Sequence, residues 1–517
     1  MSPLTIAARK GPGTEAIAGL REIRAESLPL AAPPVGEGGD RDCMTLRLES
    51  RTAAGASRTG PVQSPRRRGW QIYLIAATCL APLCTPVGPA QTAIVDVLNL
   101  CALAVFALAA LAPGTTVRMP LIAPWTAIAI GSLLAMTNAN FLKLGALSMA
   151  QDVYLYAWFI MVVNLMRDAR DLKVIRVAWL WTASGVALWG IVQSLIHGGG
   201  SITGLLGSRG WRAPSTLYNP NMLADYLVIS LFIVLSMGRE VPRLVRWGSC
   251  ALLGLGLIVT KSNGGVIAVL VGMSAWIVVR AITRRVPVIR FASSIMLILG
   301  LAALGAWLHV EWGLGDAQIA ALQQHTFVGR MSHSSETRMR IWDQLERSYA
   351  RSPLGIGPGN SGTITLSVAD RQRPDSYLAK EAHSDYLAYA IERGPLALAG
   401  LLLITGIAFM QIARYWKRAR RLEGHRVDAA SWTAAMAAAM VASSMHSTVI
   451  EKLHFRHFWL FLAMVCGSTL LAVREAAAAR ERPGDVRAGD LQHSGAATPV
   501  PSTEMRGQLA ARRARVA

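Results

Sequence analysis

SSETRMRIWDQLERSYARSPLGIGPGNSG, residues 334–362, lies in the only sizeable hydrophilic insertion between long apolar segments of this chain. The insertion begins near His309, in the apolar run ending GAWLHVEWG (305–313). It ends near Gly394, where HSDYLAYAIERGPLALAGLLL (383–403) turns apolar again. Met339, Trp342, Leu345 and Tyr349 recur at helical spacing within Glu336–Arg351. A helix with Trp and Tyr on one face, and Arg338, Glu346 and Arg347 elsewhere, is suited to lie on a membrane surface. Pro353, Gly355, Gly357, Pro358 and Gly359 then force a turn. A second helical run, Glu381–Arg393, leads into the next apolar segment.

Around this insertion the chain is 52% hydrophobic and only 16% charged, against about 25% in soluble domains. Runs near bilayer length predict spans at 70–88, 92–112, 119–138, 145–166, 174–196, 222–237, 247–260, 264–280, 291–309, 394–413, 428–448 and 457–473. The expected fold is an all-α polytopic membrane protein of about twelve transmembrane helices, with one large outer loop, 310–393, between spans nine and ten. Residues 70–475 form the membrane domain. Residues 1–69 lack the apolar core of a signal peptide and read as a disordered cytoplasmic tail, or as the product of a start codon set too far upstream. Residues 476–517 read as a second disordered cytoplasmic tail.

The net charge of +21 does not point to nucleic acid, because Arg and Lys gather in the tails and short loops. With the N-terminus inside, the inner short loops carry eighteen Lys and Arg and the outer short loops six. That bias places both termini in the cytoplasm and the large polar loop outside. None of the six cysteines has metal-ligand spacing, and no disulfide framework is suggested.

A shorter outer loop carries GSRGWRAPSTLYNPN (207–221). Its Arg209 and Arg212 offer planar forks that match phosphate oxygens; lipid headgroups are an equal alternative for them. Asn219-Pro220-Asn221 closes the loop and is placed to cap the sixth span. The large loop holds Arg330, Arg338, Arg340, Arg347, Arg351, Arg371, Arg373 and Arg393, with Lys380, and about as many acids, so most of these read as a solvated face. Arg338 stands apart because it opens the amphipathic helix. His383, beside Ser384 and Asp385 at a polar-to-apolar transition, is placed to take a proton from an attacking hydroxyl; a structural histidine is the plainer alternative. His309, His325 and His333 match no zinc spacing, and His446, His454 and His457 near Glu451 and Lys452 read as packing or interfacial residues. Within the spans the ionisable residues are few, notably Asp96, Asp152 and Asp225. This favours a surface enzyme over a pump with charges at the bilayer centre.

Three blocks in order carry a resemblance. RAPSTLYNPNMLADYL (212–227), SSETRMRIWDQLERSYARSPLGIGPGN (334–360) and EAHSDYLAYAIERGPLALAGLLL (381–403) resemble the Arg…Asn-Pro-Asn, Arg-x-x-x-Trp…Pro-Leu-x-Gly-x-Gly and His-Asn-x-x-Leu…Glu-x-Gly blocks of the O-antigen ligase/polymerase family. The resemblance spans roughly 70–475. It differs at Lys261-Ser262-Asn263, where the family often has Ser-Arg-Gly, and at Ser384, where it has Asn after the histidine.

The resemblance implies a bacterial inner-membrane glycosyltransferase working at the periplasmic face, with a glycan on undecaprenyl diphosphate as donor and no nucleotide sugar, metal or other cofactor. The acceptor is lipid A–core for a ligase or a growing glycan for a polymerase, and membrane lipids surround the protein. It gives Arg212 and Arg338 the leaving diphosphate and His383 the acceptor hydroxyl, with Arg209, Arg340, Lys261, Asn221 and Asp385 as substrate-binding candidates. A direct displacement at the anomeric carbon inverts its configuration. The ligase is the leading expectation, with a repeat-unit polymerase next. A transporter of polysaccharide or lipid intermediates is the alternative of another class, weakened by the lack of a repeated half.

Overall fold

A computed structural model describes residues 65–84, 93–197, 211–284, 327–364, 366–370, 373–379, 382–421 and 426–481. Its helices are α1 (Pro65–Leu80), α2 (Ile94–Ala110), α3 (Ile122–Met136), α4 (Leu142–Leu165), α5 (Ala169–His197), α6 (Pro220–Ser236), α7 (Arg243–Thr260), α8 (Asn263–Arg284), α9 (Phe327–Arg351), α10 (Asp385–Ala419), α11 (Arg426–His446) and α12 (Arg456–Glu481). Every expected span except 291–309 falls on one of them; 291–309 lies outside the described residues. Among the described residues, six helices are long and apolar enough to cross a membrane: α4, α5, α7, α8, α10 and α12. Shorter apolar helices include α2, α3 and α6.

The large loop is not wholly helical and irregular. β1 (Leu366–Asp370) pairs antiparallel with β2 (Arg373–Ala379), with Leu366 opposite Ala379, a short hairpin within an otherwise helical protein, as the all-α expectation has it. The sequence signal is short: Leu366, Ser367 and Val368 alternate in the period of a half-buried strand. α9 is the expected amphipathic helix, begun earlier, at Phe327. Helices α1 and α12 also run a few residues into the expected tails; the rest of 1–69 and 476–517 lies outside the described residues.

Local chemistry sets the helix starts. Asn219 caps α6, its side chain accepting the Asn221 N–H at 2.8 Å, and Pro220 opens the first turn with its φ already helical. Ser384 caps α10 by accepting from the Leu387 N–H at 3.4 Å. Helix α10 breaks at Gly394 (φ +78°), where Pro395 opens a second segment. The expected helical run and tenth span are the two arms of this kink.

Helix α6 is buried from Met222 to Val234 except at the half-buried Leu231, and forms the centre of the bundle. It packs on α7 and α11, while α8 packs on α11 and α3 on α10. Small residues allow the close approaches: a Cβ on Gly272 would lie 2.8 Å from Ala442, and one on Gly131 would lie 2.8 Å from the Ala397 nitrogen. Large apolar side chains such as Ile94, Leu108, Leu133, Leu244 and Ile282 remain on the outside, as a lipid-facing perimeter requires.

Polar contacts between loops sort into two sets. One joins 82–84 to Thr216, Asn138 and Phe141 to Gly355 and Asn360, Arg212 to Thr260, and His383 to Glu451. The other joins Arg118 to Asn164, Gln71 to Asp171, Arg176 to Glu240, Arg284 to Ser431 and Arg474 to Arg167. The first set contains only loops and helix ends expected outside, and the second only loops and helix ends expected inside. The charge count and the packing therefore divide the loops in the same way.

Candidate active site

Arg212 stands just before α6, beside the α7–α8 turn. Its Nε donates to the Thr260 carbonyl at 2.9 Å and Nη2 to Asn221 Oδ1 at 2.5 Å. Ser262 Oγ donates to the same Asn221 oxygen at 3.1 Å. Lys261 ends α7 in the left-handed region (φ +52°), which turns the chain sharply into α8. Two loops distant in sequence thus bring Arg212, Asn221 and Lys261 into one corner, with the Arg212 guanidinium fixed by a backbone and a side-chain acceptor.

One helical turn deeper on α6 lies Asp225, fully buried. His446 Nδ1 reaches its Oδ1 at 2.9 Å and His457 Nε2 reaches its Oδ2 at 3.0 Å. An ionised carboxylate only accepts, so both ring nitrogens must carry hydrogen. Lys452 Nζ lies 3.4 Å from Asp225 Oδ1 and also donates to Ser443. Burial pulls the Lys452 ammonium below its ordinary value against the opposing pull of Asp225 and Asp385.

This cluster ties α6 to the α11–α12 connection, which holds the His383 segment. Glu451 Oε1 accepts the His383 N–H at 2.9 Å. Asp385 Oδ1 accepts the N–H groups of Lys452 (2.9 Å) and Leu453 (3.3 Å). His383 itself takes a left-handed conformation (φ +54°), costly for a residue with a Cβ and held here by those contacts on either side. The α7–α8 turn abuts the same connection, since a Cβ on Gly264 would lie 2.6 Å from Val449 and 3.1 Å from His446. The arginine corner and the His383 segment therefore lie at one end of the bundle, joined through the α11–α12 connection.

Helix α9 covers this end. Ile341 and Leu345 pack with Ile356, Ala382, Ala388 and Ile391, and Trp342 Nε1 donates to the Ala382 carbonyl at 2.9 Å. Arg338 is one turn before Trp342 on the same helix face, half-buried, and burial pulls its guanidinium below its ordinary value. Ala382 directly precedes His383, so α9 meets the histidine segment at Trp342.

The glycine-rich turn 352–363 is pinned between α10 and the α3–α4 connection. Glu392 accepts the N–H groups of Gly359 (2.7 Å) and Ser361 (3.0 Å), and Asn360 Oδ1 accepts that of Phe141 (3.0 Å). Next to Glu392, Arg393 pairs with Asp152 and donates to Ser132 (3.0 Å) and Ser148 (2.8 Å), lying over the Tyr389 ring.

Comparison with family models matches residues 248–402 to the O-antigen ligase family. These residues form an O-antigen ligase domain. No curated protein sequence matches the chain. Over these residues the chain is similar to that family, and among the described residues six helices are long and apolar enough to cross a membrane.

The O-antigen ligase domain contains Lys261, Arg338, Arg340, His383 and Asp385 but not Arg209, Arg212 or Asn221. Arg209 lies outside the described residues, as does the side chain of Arg340. Two sequence readings change. Arg393 belongs to no solvated face: it is 5% exposed and ion-paired. His446 and His457 are more than packing residues, since both bind Asp225. The signal for each was the carboxylate: Asp152 and Asp225 in apolar runs require cationic or donor partners.

The turn inside the O-antigen ligase domain yields a first prediction. Gly355 has φ +104°, and a Cβ there would lie 2.8 Å from the Ala135 Cβ and the Glu392 carbonyl. Gly355→Ala should therefore destabilise the protein by about 2 kcal/mol or more. An unchanged thermal midpoint in detergent would show that the turn relaxes without cost.

Proposed function

We propose that this protein transfers a glycan from undecaprenyl diphosphate to an acceptor hydroxyl at the periplasmic face of the inner membrane, as an O-antigen ligase acting on lipid A–core. About twelve spans with both termini cytoplasmic, and residues 310–393 outside, form the frame of this reading; 1–69 and 476–517 are its tails.

His383 takes the proton of the acceptor hydroxyl. The oxygen attacks the anomeric carbon, the bond from that carbon to the diphosphate breaks, and its electron pair stays on the diphosphate oxygen. Arg212 and Arg338 hold the growing negative charge, with Arg209, Arg340 and Lys261 adding to the cationic surface and Asn221 orienting Arg212. Fixed cations stabilise such a leaving group without reorganising at the moment of reaction, so the mechanism calls for no metal. A single displacement inverts the anomeric configuration. Asp385 binds substrate beside His383.

The observation that carries the reading is the convergence of Arg212, Lys261, Asn221 and His383 at one end of a bundle that contains an O-antigen ligase domain. A polymerase would use the same donor chemistry with a growing glycan as acceptor. The transporter reading has less support, because the buried Asp225 and Asp96 and the half-buried Asp152 are all engaged in ion pairs that lock helices together.

The test is surface polysaccharide and lipid-linked glycan from a deletion strain carrying wild type, His383→Ala, Arg212→Ala or Arg338→Ala. Each variant should insert normally and lose product by about 10²-fold or more. Long polymer stranded on the carrier with bare lipid A–core identifies the ligase; single repeats without long chains identify the polymerase. Wild-type product from His383→Ala would overturn the catalytic reading.

A further inference from the structure

Beside His383 is a cleft of about 290 Å³, near the lower end of the range for small-molecule sites. It lies between α4, the 352–363 turn, the start of α10 and the α11–α12 connection. Its charge is opposite to that of the arginine corner. Asp152, Asp385, Glu392 and Glu451 line it, against the single guanidinium of Arg393, which Asp152 already neutralises. Lys452 turns its ammonium away toward Asp225 and Ser443. His454 adds no positive charge, because burial and the nearby Arg456 and His457 push it down to about 4.

One atom here is unexplained by the fold. Asp385 is 2% exposed; its Oδ1 accepts two backbone N–H groups and the Ser447 hydroxyl lies near the carboxylate, while Oδ2 is buried with no well-aligned donor among the described residues. Leaving a buried carboxylate oxygen unsatisfied is costly, so a donor is expected from outside the chain. Gln151 also lines the cleft, half-buried, with its amide making no hydrogen bond among the described residues. A carboxylate that only accepts, an amide that both donates and accepts, and the Tyr389 ring at the wall suit a ring bearing several hydroxyls. Excess negative charge repels phosphate.

We infer that this cleft binds an uncharged, hydroxyl-rich sugar ring of the substrate glycan, with Asp385 Oδ2 accepting from one hydroxyl and Gln151 reading another. The inference rests on the transfer reading above and divides its site in two. The diphosphate belongs to the Arg212 corner, and the sugar to the acidic cleft, within reach of the His383 segment. Phosphorylated sugars are excluded from the second part.

The experiment is saturation-transfer NMR on the full chain in phosphatidylcholine nanodiscs, with maltotriose, chitotriose and glucose 6-phosphate as probes. Wild type should transfer saturation to at least one trisaccharide and not to glucose 6-phosphate. Gln151→Leu and Asp385→Asn should weaken trisaccharide binding by about fivefold or more, as loss of one hydrogen bond does. Gln151→Leu removes no hydrogen bond of the fold among the described residues, so it remains informative if Asp385→Asn fails to fold. No trisaccharide signal from wild type, equal signal from glucose 6-phosphate, or undiminished binding in Gln151→Leu would overturn the inference. The product assay on His383→Ala separates the two readings. Lost product with unaltered sugar binding in the cleft variants sinks the cleft alone. Retained product with sugar binding lost in those variants sinks the transfer reading and leaves the cleft as a sugar site.

Discussion

Asp225→Ala should lower stability by about 3–5 kcal/mol, the cost of breaking a buried ion pair by removing one partner. The carboxylate is fully buried and faces Lys452, His446 and His457 at once. Its loss strands an ammonium and two imidazole N–H donors in the middle of the bundle, where no water repays them. Asp225→Asn keeps the shape but points amide hydrogens at groups that are themselves donors, so it should not rescue. The double variant Asp225→Ala/Lys452→Met should recover part of the loss, since the stranded charge is gone; a coupling of about 1–3 kcal/mol is expected. Thermal melting of detergent-purified protein measures all three. If Asp225→Ala melts with wild type, or the double variant is strictly additive, the cluster is not the lock described above. Product formation should also fall in Asp225→Asn molecules that remain folded, because Glu451, which holds the His383 backbone, sits on the connection that Asp225 anchors.

How much of this was visible in the sequence follows from what each pattern encodes. Apolar runs gave the helices because burial in lipid demands them, and Asn219-Pro220-Asn221 and the 353–359 glycines and prolines fixed their breaks by local chemistry. The charge bias divided the loops as the packing does. Pairings between distant side chains were not legible: nothing local says that Asp225 meets His446 and Lys452 more than two hundred residues on, or that Arg393 turns inward. Arg393 was misread because it stands among loop arginines, and its destination is set by the kink at Gly394 and by Asp152 on another helix. The hairpin at 366–379 was missed because its alternating stretch is only a few residues long. For the candidate site, Arg212 and Asn221 were named from one loop and Lys261 from another, and the hydrogen bonds of Arg212 to Thr260 and of Ser262 to Asn221 that join the two loops are a tertiary result.

Arg393→Met is the second substitution with a large expected effect, again about 3–5 kcal/mol. It leaves the half-buried Asp152 without its cation and removes donors from Ser132 and Ser148 on α3 and α4. Arg393→Lys should lose much of the same stability. An ammonium cannot span a carboxylate and two hydroxyls in one plane while lying over the Tyr389 ring, as the guanidinium fork does. Replacing the pair together, Arg393→Met with Asp152→Leu, should be milder than either single change, because no charge is stranded. Full stability of Arg393→Lys would mean that charge alone matters here and that the fork geometry does not. The consequence for chemistry is local: Arg393 and Glu392 fix the angle at which α10 leaves Gly394, and the arm before that kink carries Asp385 behind the His383 segment. Variants that loosen the pair should therefore weaken turnover in the folded fraction as well as lower the melting point, while a lesion confined to the lipid-facing perimeter should affect neither.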